Sequence, residues 1–110
     1  MVAAGNVNQE VTNTLPAACP DAITVGASAK NGEKASFSNY GNPVDIYAPG
    51  VDMYTTTLSG GYTVKDGTSF ATPVVAGLVA RGLGQNPSMD SNQILDYIRS
   101  YSGLTANFPV

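Results

Sequence analysis

Residues 67–77 read Gly67-Thr68-Ser69-Phe70-Ala71-Thr72-Pro73-Val74-Val75-Ala76-Gly77, and this stretch decides the fold. Gly67 permits a tight turn, and the hydroxyls of Thr68 and Ser69 are suited to capping the free amides of a helix. An apolar run with a single charge continues from Val74 to Leu83, which is typical of a buried helix. The stretch therefore predicts a turn and then a buried helix. One serine stands at the helix N-terminus, where free amides and the helix dipole favour developing negative charge.

Two helices are expected in the C-terminal half of the chain. The serine helix should end near Gly82 or Gly84, because Asn86-Pro87 forbids its continuation. A last helix should start at Asp90, with Gln93 three residues on as a capping-box variant. We interpret its apolar stripe as core packing, and the stripe comprises Ile94, Leu95, Ile98 and Tyr101.

Short apolar runs upstream of the serine indicate strands. Two β-branched runs read as buried parallel strands, and a Thr- and Tyr-rich pair around Ser59-Gly60-Gly61 reads as a hairpin. The start of the chain reads as the end of a buried strand followed by a turn, and the turn at residues 67–71 is expected beside it. The fold class is therefore α/β. The segments are residues 1–6, 22–27 and 44–50 for the strands, and 53–57 with 62–65 for the hairpin.

Composition narrows the class of protein. The chain has 110 residues, of which 43% are hydrophobic and 12% charged, so it is globular and forms one domain or part of one. The net charge of −3 leaves no basic stripe for phosphate backbones, so nucleic acid is excluded as a partner. No apolar run reaches the length of a membrane span, and no signal peptide is visible. The single cysteine, Cys19, is either a buried thiol or has a partner outside this chain.

The order of residues 67–77 resembles the active-serine motif of the subtilisin-like serine proteases, Gly-Thr-Ser-Met-Ala-x-Pro-His-Val-Ala-Gly. Phe70 replaces the usual Met, and Val74 replaces a His that is structural in the family. The resemblance extends to Ala-Ala-Gly-Asn at 3–6, to Ser-Phe-Ser-Asn-Tyr-Gly at 36–41, and to Val-Asp-Ile-Tyr-Ala-Pro-Gly at 44–50. It implies a three-layer subtilisin-like fold, of which residues 1–110 form the C-terminal portion. The segments that carry the catalytic Asp and His are expected before Met1.

The resemblance also implies roles for individual residues. Ser69 becomes the nucleophile, and Asn6 becomes the side-chain donor to the oxyanion. The residues implied to contact substrate are Ala3, Ala4, Gly5 and Thr68. The sequence contains no histidine, so it cannot supply the base that a serine nucleophile needs. We therefore expect this chain alone to be inactive.

Asp45 is a polar residue inside an apolar run, and two interpretations stay open. Its carboxylate either accepts backbone amides in a turn or binds a cation. In proteinase K-like members of the family, the matching Asp binds calcium together with carbonyls of the preceding loop. That resemblance implies a structural calcium site at Asp45 with the carbonyls of Pro20 and Ala22, an oxygen donor set that suits calcium.

Two hypotheses of function follow. In the first, the chain is the serine- and oxyanion-bearing part of an endopeptidase, active through an acyl-enzyme once the missing N-terminal part is supplied. In the second, it is a non-catalytic remnant that binds a peptide or partner through the same pocket. The expected partners are a peptide or protein substrate and the missing part. The family implies a secreted, extracellular location, and a helix that lacks its neighbours predicts exposed apolar surface and self-association.

Overall fold

The computed structural model describes residues 1–101, which form a small parallel sheet covered by helices, with a separate hairpin. The serine helix packs on two neighbouring strands of the sheet, and the last helix packs on the serine helix. This α/β arrangement confirms the predicted class. The elements in chain order are β1 (Val2–Ala3), β2 (Thr24–Ser28), β3 (Ile46–Pro49), β4 (Met53–Thr56), β5 (Tyr62–Lys65), α1 (Thr68–Gln85) and α2 (Ser91–Arg99).

The parallel sheet has the order β1-β2-β3, and β4 pairs with β5 as the predicted antiparallel hairpin. Val2 lies opposite Thr24 in the first pair of strands, and Val25 lies opposite Ile46 in the second. All five residues of β2 are buried, as expected for the central strand of a covered parallel sheet. The carboxyl ends of β1, β2 and β3 therefore meet at one edge, where the loops that follow them gather.

One apolar core joins the sheet to both helices. Ile98 of α2 is fully buried, and burying a side chain of that size stabilises the fold by about 1.5–3 kcal/mol. This contact fixes α2 against α1 and confirms the interpretation of its apolar stripe as core packing. The buried members of the core are Val25, Ala27, Ala35, Ile46, Ala48, Ala71, Val75, Val79 and Ile98.

The start of α1 differs from the prediction. Gly67 is the N-cap residue and no side chain caps the helix, so the expected capping by Thr68 or Ser69 is wrong. The reason is that the Thr68 hydroxyl donates to a distant residue, Asn6, instead. The helix also continues past the glycines to Gln85, beyond which Pro87 limits it.

The prediction that α1 is buried on every face is wrong for residues 1–101. Only one side of the helix is buried, and Val74 on the other side is 36% exposed. The sheet and α2 cover a single face, which leaves the remaining apolar side chains in contact with solvent.

The hairpin also exposes apolar surface. The rings of Tyr54 and Tyr62 stack with centroids 5.1 Å apart, and both side chains are exposed. Within residues 1–101, no helix combines the length and hydropathy needed to cross a bilayer.

The predicted capping box of α2 is confirmed. The Gln93 N–H donates to Asp90 Oδ1 at 2.9 Å, and the Asp90 N–H donates to Gln93 Oε1 at 2.9 Å. Two amides that a helix N-terminus would leave without acceptors are thereby bonded. The first residue of the helix is Ser91, one position after the predicted start.

Candidate active site

The N-terminus of α1 lies against the carboxyl edge of the sheet because a glycine, Gly50, directly follows β3. Gly67 N–H donates to the Gly50 carbonyl at 2.8 Å. A Cβ on Gly50 would lie 2.7 Å from Ala27 Cβ and 2.8 Å from the Gly67 carbonyl oxygen, so a side chain there would push the helix away. In open parallel sheets, ligands bind at this edge, beyond the carboxyl ends of the strands.

The turn after β1 reaches the same edge. Ala4 N–H donates to the Val25 carbonyl at 2.9 Å and extends the pairing of β1 with β2. The chain then reverses at Gly5, whose φ of +110° lies in the region that favours glycine. This reversal places Asn6 beside α1, as predicted for the two turns.

Asn6 and Thr68 are joined by a closed set of hydrogen bonds. Asn6 Oδ1 accepts the Thr68 N–H at 2.9 Å and the Thr68 hydroxyl at 2.8 Å. The same hydroxyl oxygen accepts the Gly5 N–H at 3.2 Å. An asparagine amide has one acceptor oxygen and one NH₂ donor group. Because both Thr68 donors bind the oxygen, the NH₂ group of Asn6 points away from Thr68.

Ser69 is the second residue of α1, and its side chain is exposed. The amides around it are already bonded: Thr68 N–H donates to Asn6, and Phe70 N–H and Ala71 N–H donate to the Gly67 carbonyl. Within residues 1–101, the Ser69 N–H has no acceptor. An unbonded amide at a helix N-terminus is a donor suited to a developing negative charge.

No base stands beside the serine in the part of the chain that the structure describes. The nearest carboxylate in sequence, Asp66, accepts the Asp52 N–H at 2.7 Å through Oδ1 and so belongs to the base of the hairpin. No hydrogen bond to the Ser69 hydroxyl occurs within residues 1–101. Within residues 1–101, the site therefore combines an exposed serine hydroxyl and an unbonded backbone amide, with no group placed to accept the serine proton.

The residues expected to contact substrate have different exposures. Ala3 and Gly5 are partly exposed, whereas Ala4 is fully buried and packs with Val11 and Ala17 in a second apolar cluster.

Sequence reasoning missed an open groove between the hairpin and the first turn of α1. Its walls come from β4, β5 and their connecting loop, with Phe70 at the helix end, and its lining residues include Thr55, Thr57, Leu58, Thr63, Lys65 and Phe70.

Asp45 accepts a backbone amide, as the first of the two interpretations expects. Its Oδ2 accepts the Thr24 N–H at 2.8 Å, and its Oδ1 lies 3.8 Å from Arg99 Nη2. Arg99 also donates through Nε and Nη2 to the Asp45 carbonyl, at 3.2 and 3.0 Å. Thr24 is two residues beyond Ala22, so the carboxylate lies beside the loop that holds both expected carbonyls, Pro20 and Ala22. Within residues 1–101, Oδ1 accepts no N–H, so one carboxylate oxygen is left for a cation such as calcium, with which the guanidinium would compete.

The fold matches that of subtilisin-like proteases. A cold-adapted subtilisin-like serine proteinase of known crystal structure superposes with a TM-score of 0.86 at 41% identity, covering 91% of this chain and 37% of that chain. A subtilisin-like protease 4 of Trichophyton rubrum is 50% identical over 110 residues, covering 98% of this chain. A cuticle-degrading protease of Metarhizium anisopliae is 54% identical over 79 residues, covering 72% of this chain.

The profile of the subtilase family matches residues 1–107. This chain therefore belongs to the subtilase family. It spans 27% of the Trichophyton relative and 20% of the Metarhizium relative.

The hydrogen bonds of Thr68 lead to a stability prediction. Thr68→Val keeps the shape of a side chain that is 1% exposed but removes the hydroxyl, which leaves the Gly5 N–H without its acceptor. We expect the free energy of unfolding to fall by about 1–3 kcal/mol in urea titrations, because an unbonded buried donor costs about that much. Thr72→Val is the matched control, since its hydroxyl bonds only the Thr68 carbonyl one helical turn back. Equal losses in the two variants would contradict the special role of Thr68.

Proposed function

We propose that this chain is the nucleophile- and oxyanion-bearing part of a subtilisin-like serine endopeptidase. The single observation that carries the proposal is the pair of hydrogen bonds from Thr68 to Asn6 Oδ1. They direct the NH₂ group of Asn6 away from Thr68, and the N–H of the next residue, Ser69, has no acceptor within residues 1–101. A peptide-binding remnant would have no need to hold two donors beside an exposed serine.

The residues of the chain have separate tasks in peptide hydrolysis. Ser69 Oγ attacks the carbonyl carbon of the scissile bond, and its proton passes to an imidazole that the completing part supplies. The carbonyl oxygen becomes an anion and accepts hydrogen bonds from Asn6 Nδ2 and the Ser69 N–H. The imidazolium then protonates the leaving amine, the C–N bond breaks, and an acyl ester on Ser69 remains. Water attacks this ester in the same geometry and releases the acid, which restores the serine.

The completing part is the N-terminal segment that carries the Asp and the His, and the substrate is a peptide or protein. Two observations support a missing N-terminal part. The apolar face of α1 that is exposed here would be covered by such a part, and this chain spans 27% of the Trichophyton rubrum relative. As in the family, we place the completed protease outside the cell.

The isolated chain should not turn over a chromogenic peptide anilide. General-base assistance is worth about 10²–10⁴-fold in rate, and the sequence has no histidine to provide it.

Turnover should appear when the matching N-terminal segment of the Trichophyton rubrum relative is added or fused before Met1. Ser69→Ala should abolish that turnover. Asn6→Ala should lower kcat by about 10²–10³-fold, a magnitude known from subtilisin itself and not obtained from this structure.

Ser88→Ala provides the control, because Ser88 is exposed beyond α1 and bonds only Asn86. It should leave turnover unchanged. Turnover by the isolated chain that Ser69→Ala removes would refute the need for an external base. Peptide binding without turnover in every completed assembly would instead favour the binding-module hypothesis.

We further propose a structural calcium ion at Asp45 with the carbonyls of Pro20 and Ala22. A ligand that binds only the folded state must raise the melting temperature. Millimolar calcium should therefore raise Tm by a few degrees, since a stabilisation of 1 kcal/mol shifts Tm by roughly 4–8 °C in a domain of this size. Asp45→Asn should remove the increase, and equimolar magnesium serves as the control for ionic strength. No increase in the unmodified chain, or an increase that persists in Asp45→Asn, would contradict the site.

A further inference from the structure

We propose that Asn39 is the positioning residue that holds Asn6 in the geometry of an oxyanion donor. The inference rests on the proposed function, because it gives Asn39 a role only through Asn6. Asn39 is 2% exposed and lies in the segment between β2 and β3, 33 positions from Asn6 in the sequence. It does not contact the reacting atoms, and its effect passes through the backbone on both sides of Asn6.

Four hydrogen bonds connect Asn39 to this backbone. On the N-terminal side, Asn39 Nδ2 donates to the Ala4 carbonyl at 3.0 Å, and Asn39 N–H donates to the Gly5 carbonyl at 2.9 Å. On the C-terminal side, Asn39 Oδ1 accepts the Val7 N–H and the Gln9 N–H, each at 3.0 Å. The residue between these two pairs of bonds is Asn6.

The amide of Asn39 is close to fully used. Its oxygen has two lone pairs, and both receive backbone N–H groups, while one of its two N–H donors binds a carbonyl. The fit also explains the glycine before Asn6. A Cβ on Gly5 would overlap Asn39 Nδ2, so the amide occupies the space that a side chain would need.

Asn39 is itself fixed to the central strand. The Ser38 hydroxyl donates to the Asn39 carbonyl at 3.0 Å and accepts the Ala27 N–H of β2 at 2.9 Å. The Lys34 ammonium donates to the Ser38 carbonyl at 2.9 Å from the other side. A continuous path of hydrogen bonds therefore leads from β2 through Ser38 and Asn39 to the turn that holds Asn6.

Two independent sets of bonds thus determine where the Asn6 NH₂ group lies. Thr68 binds the side-chain oxygen of Asn6 and sets the rotation of its amide. Asn39 binds the backbone on either side and sets the position of its Cα. A shift of about 1 Å in a group at a reaction centre can cost about 10²-fold in rate. Loss of Asn39 should therefore reduce catalysis while every residue that contacts substrate is still present.

The test is a double-variant cycle in the completed enzyme, with kcat and KM measured separately on a peptide anilide. Asn39→Ala should lower kcat by roughly 10–100-fold and change KM by less than about twofold, because the oxyanion exists only in the transition state. In the Asn6→Ala background, the same change should lower kcat by less than about threefold, since no donor remains to be positioned. Asn39→Asp keeps an acceptor for the Val7 and Gln9 amides but loses the donor to Ala4. Its kcat should therefore lie between that of the unmodified enzyme and that of Asn39→Ala.

Ile98→Val is the control for general destabilisation. Ile98 is fully buried in α2 and belongs to a core cluster that does not include Asn6, so its truncation should lower Tm without changing kcat at temperatures below the transition. An unchanged kcat in Asn39→Ala, or losses that multiply in the double variant, would overturn the proposal. Full kcat in Asn6→Ala would refute the oxyanion role of Asn6, and with it the proposed function.

A second measurement uses the completed assembly, with the 110-residue chain isotope-labelled, and needs no turnover. The two side-chain amide protons of Asn6 should give separate, sharp NMR resonances in the unmodified chain and in Ile98→Val. In Asn39→Ala they should move towards the shifts of a free asparagine amide. Resonances of Asn6 that are unaffected by Asn39→Ala would overturn the positioning role, whatever the outcome of the kinetic cycle.

Discussion

The hydrogen bonds between Thr68 and Asn6 are the constraint on which the site depends, because they join segments 62 residues apart in sequence. One segment is the turn after β1, and the other is the first turn of α1. Without this connection, Ser69 would be an exposed serine on a helix and Asn6 an exposed asparagine in a loop. With it, the orientation of a flexible amide is fixed by two donors, because both must bind its oxygen and neither can bind its NH₂ nitrogen.

This connection requires close approach of backbone to backbone, and the sequence provides it with small residues. Gly50 lets the helix start reach the end of β3, and Gly5 lets the Asn6 turn lie against Asn39. The central strand has only short side chains, and α1 presents Ala71 and Val75 to it. The packing therefore positions Asn6 and the first turn of α1 before any substrate binds, so in the proposed mechanism the barrier would not include the cost of arranging them.

Much of this could be predicted from sequence, because the relevant signals are local. The hairpin, the serine helix and the Asp90 capping box each follow from residues within four positions of one another. The use of the Thr68 hydroxyl could not be predicted in this way. A threonine at a helix start can cap its own helix, and only the proximity of Asn6 decides that it binds elsewhere. The role of Asn39 could not be predicted either, and the sequence showed it only as one position of a family motif. Its hydrogen-bond partners lie about 30–35 residues away in the sequence, and no periodic pattern indicates them. Exposed apolar surface was expected from the missing neighbours of the helix, but an apolar helix does not reveal that Val74 in particular lies on the exposed face.

The most direct test of the oxyanion geometry is a crystal structure of the completed assembly with Ser69 phosphonylated, since the phosphonyl oxygen stands in for the oxyanion of the tetrahedral intermediate. The geometry described above predicts that this oxygen lies about 2.7–3.1 Å from both Asn6 Nδ2 and the Ser69 backbone nitrogen. It also predicts that Asn6 Oδ1 remains bonded to Thr68. A phosphonyl oxygen directed into solvent, or an Asn6 amide released from Thr68, would contradict the assignment of these two groups as the oxyanion donors.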